Sequence, residues 1–126
     1  MYRLTSIPYC NDISTVDIGR GLYIGHPYCI TVNAGAVLGN NVNIHKGVTI
    51  GQENRGRRKG TPVIGSNVYI GVNAVVCGKI TIGDNVLIAA NSFVNFDVPF
   101  GSIVVGNPGV IKPCESATEG YVNRKV

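Results

Sequence analysis

From Ile64 to Val94 an aliphatic residue falls at every sixth position without a miss: Ile64, Ile70, Val76, Ile82, Ile88 and Val94. That period matches neither the roughly 3.6 of an α-helix nor the about 2 of an ordinary strand. It is a short internal repeat, and such repeats define solenoids. Small or turn-forming residues fill the intervals: Gly65, Gly71, Gly83 and Ala89 directly follow an aliphatic, and Asn67, Asn73, Asn85 and Asn91 fall three places after one. The pattern predicts an all-β fold, a parallel β-helix of hexapeptide repeats. Each hexapeptide supplies one short strand and one corner, and three close a triangular coil of eighteen residues. Ile64 is then expected under Ile82 and Ile70 under Ile88, with coils roughly 4.8 Å apart. Corners require positive φ or a self-bonding side chain, which glycine and asparagine supply at least cost.

Read along the chain, residues 1–12 hold no hexad phase and form a lead-in, and 13–112 form the β-helix domain. A first set of beats runs through Ile18, Ile24 and Ile30; the phase then slips by two at CITV and resumes through Val32, Leu38, Ile44 and Ile50. Such slips are absorbed by bulges, which concentrate beside functional sites. Between Ile50 and Ile64 the spacing is fourteen instead of six, so one loop, 51–63, is extruded from the coil. Pro99 and Gly101 end the regular run, VVGNPGVI follows as an edge strand and turn, and 113–126 read as a flexible C-terminal tail.

A chain of 126 residues with 44% hydrophobic content suffices for one core. No apolar stretch approaches the ~20 residues of a membrane helix, and MYRLTSIPYC lacks a signal-peptide layout, so neither membrane nor export is expected. Cys10, Cys29, Cys77 and Cys114 are widely spaced with no CxxC, which predicts free thiols in the cytoplasm and no metal site. The net charge of +4 is concentrated in the loop GQENRGRRKGTP, where Arg55, Arg57, Arg58 and Lys59 cluster. A nucleic-acid partner is not expected, because cations are not spread over a face and interleaved with aromatics. A small anionic ligand or a solvated loop fits the cluster.

Only two histidines exist, His26 and His45, and neither occupies an inward beat. His26 sits between glycine and proline at the phase slip, with the carboxylates of Asp12 and Asp17 upstream. An imidazole oriented by a carboxylate accepts a proton from an alcohol near neutral pH. The pair is a base without a nucleophile of its own, which suits direct attack by a substrate hydroxyl on an acyl donor.

The segments IGRGLYIGHP, NVNIHKGVTIGQ, the basic loop closing at TPVIG, IGVNAVVCGKITIGDNVLIAANSFV and VVGNPGVI together resemble the catalytic domain of serine acetyltransferases and their short hexapeptide relatives, over roughly Asp12 to Lys112. The resemblance implies a left-handed coil, acetyl-CoA as co-substrate, O-acetyl transfer of the kind that serves cysteine biosynthesis, and a homotrimer with active sites between neighbouring β-helices. His26 matches the family's catalytic histidine. For its orienting aspartate the equal-spacing match is Asn11; Asp12 fits with one residue deleted and is taken here, with Asp17 in reserve. Serine-specific members carry arginine and histidine before the proline that here is Pro62, and aspartate before the catalytic histidine; this chain has Gly60, Thr61 and Gly25 there. The acceptor therefore stays open between L-serine and a sugar hydroxyl, with Arg57, Arg58 and His45 as candidates to line its site. Gly71, Ala74, Ala89, Ala90, Gly106 and Lys112 are the candidates for contact with acetyl-CoA. The alternative is a non-catalytic trimeric binding module on the same fold.

Overall fold

A computed structural model describes residues 9–15 and 17–126. Most of the lead-in therefore lies outside the described residues. Among the described residues fourteen short strands form a β-helix with three faces. The first sheet stacks β1 (Asp12–Ile13), β3 (Thr31–Val32), β6 (Thr49–Gly51), β9 (Val75–Cys77) and β12 (Phe93–Val94). The second stacks β4 (Val37–Leu38), β7 (Val63–Ile64) and β10 (Thr81–Ile82). The third stacks β2 (Tyr23–Gly25), β5 (Asn43–His45), β8 (Val68–Ile70), β11 (Val86–Ile88) and β13 (Ser102–Val105), closed by the antiparallel β14 (Val110–Pro113).

The register follows from the hexads. Ile64 pairs with Ile82, and Ile70 with Ile88, as the spacing predicts. Leu38, Ile64 and Ile82 form one inward column, Ile44, Ile70, Ile88 and Val104 a second, and Val32, Ile50, Val76 and Val94 a third, all buried. Each buried isoleucine or valine contributes about 1.5–3 kcal/mol relative to exposure, so the columns are the principal stabilising feature. Residues two places before a beat also point inward on all three faces: Ile30, Val48 and Ala74 are fully buried, as are Val42, Val68 and Val86, and Ala36 and Ile80 are buried on the second sheet. This second inward position relocates the phase slip. Ile30 and Val32 face the core together over Val48 and Ile50, so CITV holds no insertion. The two extra residues lie earlier: Gly25 to Thr31 takes two more steps than the paired His45 to Thr49. They form the turn His26–Tyr28.

Asn67, Asn73, Asn85 and Asn91 all adopt positive φ, between 56° and 61°. Side-chain carboxamides help at these corners; Asn85 accepts from the Thr118 hydroxyl at 2.6 Å and donates to the Glu115 carbonyl at 2.8 Å. The segment after β14, expected as a flexible tail over 113–126, does not project freely. It runs back down the outside of the third sheet, with Ala117, Thr118 and Val122 buried. Asn43 Nδ2 donates to the Tyr121 carbonyl at 3.0 Å, and the Val126 amide donates to Asn41 Oδ1 at 2.8 Å. The physical reason is an outward row that is itself apolar, Tyr69 and Leu87, which the tail covers.

Candidate active site

The inserted turn mounts His26 at the edge where the third sheet passes into the first. His26 has φ 56° and is exposed, although histidine gains nothing from a left-handed backbone. Strained conformations of this kind persist where surrounding structure enforces them, and they concentrate at functional sites. Here Asn11 enforces it. Its Nδ2 donates to the Pro27 carbonyl at 2.7 Å, and its Oδ1 accepts from the Ile30 amide at 3.0 Å, so one carboxamide holds both limbs of the turn. The His26 carbonyl accepts from the Tyr28 amide at 2.7 Å. Tyr28 and Tyr9 meet edge to face at 5.5 Å, both exposed, beside this turn.

Of the candidate carboxylates, Asp12 lies on β1 beside Asn11, exposed, and accepts from the Ser14 hydroxyl at 2.5 Å. Asp17 lies elsewhere: its carbonyl accepts from Leu38 of the second sheet. The reserve is thus placed on a different face from His26. Asn11, passed over for its neighbour in the sequence reading, is the residue that touches the histidine turn.

His45 stands in register beside Gly25. A Cβ on Gly25 would come within 2.6 Å of His45 Cε1 and 2.7 Å of Nδ1, so the bare glycine makes room for the imidazole. Tyr69 packs on the ring at 4.7 Å and Tyr23 at 6.5 Å, while Nε2 is buried with no hydrogen-bond partner. Burial, and then the neighbouring His26, hold the His45 pKa below its ordinary 6.5, so this ring is neutral at physiological pH.

One edge of the β-helix unites most of the remaining candidates. Continuing the strand register by one residue places Gly25, His45, Gly71, Ala89 and Val105 in one column. Lys46, Val72, Ala90 and Gly106 form the next, and the inserted turn that begins at His26 closes below Lys46 at Tyr28, whose carbonyl accepts from the Gly47 amide. The amides of Gly71 and Ala89 are already bonded to Ile88 and Val104 one coil on. Small residues thus keep the upper part of this edge open, and a Cβ on Gly71 would come within 2.7 Å of the Ala90 amide. From His26 to Gly106 the strip climbs four coil spacings, roughly 20 Å. Lys112 is exposed on β14 opposite Ile103, at the top of the adjoining face. Ala74 is corrected: it is fully buried in the secondary inward column, with its carbonyl bonded to Thr49, and presents nothing to a ligand.

The extruded loop leaves β6 at the opposite edge of the first sheet. Paired strands on either side of it are offset by twenty-six residues, Thr49 against Val75, where eighteen is the regular step, so eight residues are extruded. Glu53 and Gly60 exchange two backbone hydrogen bonds at 3.0 Å, closing a small hairpin, and the Lys79 amide donates to the Arg58 carbonyl at 2.8 Å. Arg57 is exposed and Arg58 half-buried. One protomer therefore does not bring Arg57 and Arg58 to His26; the width of the first sheet separates them.

Residues 61–95 match the family described as bacterial transferase hexapeptide (six repeats). The serine acetyltransferase of Staphylococcus xylosus is 47% identical over 94 residues, covering 75% of this chain and 44% of the relative. That of Helicobacter pylori is 40% identical over 90 residues, covering 71% and 53%. The crystal structure of Neisseria gonorrhoeae serine acetyltransferase (CysE) in complex with serine superimposes with a TM-score of 0.69 at 39% identity, over 82% of this chain and 40% of that one. The chain spans about half the length of the curated relatives it matches. The chain is a left-handed β-helix of about five coils, carries hexapeptide repeats, and is similar to serine acetyltransferases over about half of their length.

Proposed function

We propose that the chain is an acetyl-CoA-dependent O-acetyltransferase in which His26 is the general base. One observation carries the reading: His26, the first residue of the inserted turn after Gly25, stands at the foot of an edge whose upper positions include the small residues Gly71 and Ala89, in register with Gly25, and Ala90 and Gly106 beside them. A thioester arm laid along that edge brings its acetyl carbon down to the imidazole. His26 takes the proton of the acceptor hydroxyl while the oxygen attacks the thioester carbonyl. The tetrahedral intermediate collapses with loss of the coenzyme A thiolate, and the proton held on His26 returns to that sulfur, leaving the O-acetyl ester and free coenzyme A. Asn11 positions the His26 turn, and Asp12 supplies the neighbouring negative charge.

The acceptor is L-serine or a sugar hydroxyl. The names of the relatives favour serine; Gly25, Gly60 and Thr61 leave charged positions of that family unfilled. Arg57 and Arg58 serve an acceptor or donor phosphate at a site completed by a neighbouring protomer. Because base and basic loop lie at opposite edges of one sheet, a homotrimer is the assembly that joins them, and sedimentation of a monomer at micromolar concentration would contradict it. The free cysteines fit a cytoplasmic enzyme. Among the described residues no helix is long and apolar enough to cross a membrane.

The deciding experiment is coenzyme A thiol release from acetyl-CoA against L-serine, sugars and sugar nucleotides. Release with a hydroxyl acceptor supports the reading and identifies the class. No release with any of them favours a trimeric binding module.

A further inference from the structure

We infer that Cys10 and Cys29 form a reversible disulfide between adjacent coils, a redox modification site beside the His26 turn. The geometry rests on one repeated hydrogen bond. At a single corner of the β-helix, each corner residue donates its amide to the carbonyl of the residue preceding the corner one coil below. Gly47 donates to Tyr28, Asn73 to Lys46 and Asn91 to Val72, at 2.9–3.0 Å. Cys29 donates to Tyr9 at 2.9 Å in the same way, which places Cys10 directly under Cys29 in the column Cys10, Cys29, Gly47, Asn73, Asn91. The flanking pairs, Asp12 with Thr31 and Ile13 with Val32, fix the same register.

Two further observations separate this pair from ordinary corner residues. Cys10 and Cys29 share one backbone conformation, φ 57° and 54°, and stand one coil spacing apart. Cα separations of about 4.4–6.8 Å accommodate a disulfide, and the coil repeat of roughly 4.8 Å falls within that range. Elsewhere this column holds glycine or asparagine, which adopt positive φ at lower cost. Cysteine brings no conformational gain there; what it brings is a thiol. Both thiols are free and exposed, whereas Cys77 and Cys114 are half-buried, and burial pushes the Cys77 thiol up.

The co-reactant is a low-molecular-weight disulfide such as oxidised glutathione. The thiolate of one cysteine attacks it, forming a mixed disulfide and releasing one reduced glutathione. The second thiolate then attacks the protein sulfur of that mixed disulfide and releases the other glutathione. Two protein thiols are oxidised, one glutathione disulfide is reduced, and both thiol protons leave to solvent or to the departing glutathione thiolates. The product fastens the two-residue β1, which pairs with β3, onto the coil that carries His26.

The test is peptide mapping of the full chain after equilibration with oxidised glutathione, followed by alkylation, with amide exchange on both forms. The expected product is a Cys10–Cys29 linkage within one chain, with Cys77 and Cys114 alkylated, and exchange at the Asp12 and Ser14 amides slowed by at least about tenfold. C10S should convert Cys29 to a persistent glutathione adduct, and C29S should do the same to Cys10. Persistent adducts on the unmutated chain, or a linkage only between chains, would overturn the site. Unchanged exchange at Asp12 and Ser14 in the linked form would overturn the fastening role.

Discussion

The coils above Pro62 and those below it are made from the same hexapeptide, yet they differ in how they close. Between Val63 and Val94 the steps are regular, Ile64 over Ile82 and Val76 over Val94 at eighteen residues, with asparagine at the positive-φ corners. Below, the turn His26–Tyr28 adds two residues and the loop between β6 and β7 adds eight. Core columns continue through both parts without interruption, from Val32 and Ile50 up to Val94 and from Ile44 up to Val104. The difference teaches that additions at a corner leave the inward stack intact. The regular coils supply stability, and the irregular corners are free to carry chemistry.

That division can be broken by mutation. The largest expected effect is on stability in the regular part: Ile70→Ala, at a position with no exposure, should lose about 2–5 kcal/mol in urea unfolding. His26→Ala should reverse the pattern, lowering turnover by at least ~100-fold with an unchanged unfolding midpoint and little change in donor affinity. An enzyme left near full activity would remove His26 from the reaction. Arg57→Ala, on the exposed hairpin, should raise KM for acceptor or donor by roughly tenfold and leave kcat alone, the scale of one charge-assisted hydrogen bond. Asn67→Ala should cost about 1 kcal/mol because φ is 56° there, while Asn67→Gly should be close to neutral; equal losses would mean that the side chain matters more than the backbone.

The smallest expected effect is a pH dependence. The pKa of His45 is lowered in the folded chain, so between its ordinary 6.5 and that lower value the unfolded chain binds more protons. Stability therefore rises with pH through this window and falls as pH drops below about 6.5. His45→Gln should flatten that slope in unfolding midpoints measured across the window. A slope that persists unchanged would assign the effect to another group.

Much of the scaffold was legible because a six-residue period has few structural solutions and each aliphatic reports its own burial. The stacking of Ile64 on Ile82 and the positive φ of Asn67, Asn73, Asn85 and Asn91 came directly from that spacing. The phase slip was visible in the residues but assigned a few positions late, because Ile30 and Val32 both face the core and a single-beat count cannot distinguish two inward positions from an insertion. Ala74 was misread for the same reason. Asn11 occupies the equal-spacing position of the orienting aspartate that the family resemblance implies, and its two hydrogen bonds around the His26 turn emerge only when β1 is laid against β3.

By itself the sequence determined the coil, its inward columns, its corners and the two places where the coil is interrupted, all of which are local consequences of spacing. Tertiary structure decided which interruptions meet. Stacking brings residues one coil apart into contact whatever lies between them, so Cys10 falls under Cys29 and Gly25 beside His45. The triangular cross-section sends His26 and the Arg57–Arg58 hairpin to opposite edges of the first sheet, although they stand barely thirty residues apart in the chain. The tail likewise reads as polar and unpatterned, yet Ala117 and Val122 are buried, because the face it crosses is one that only the folded coil creates.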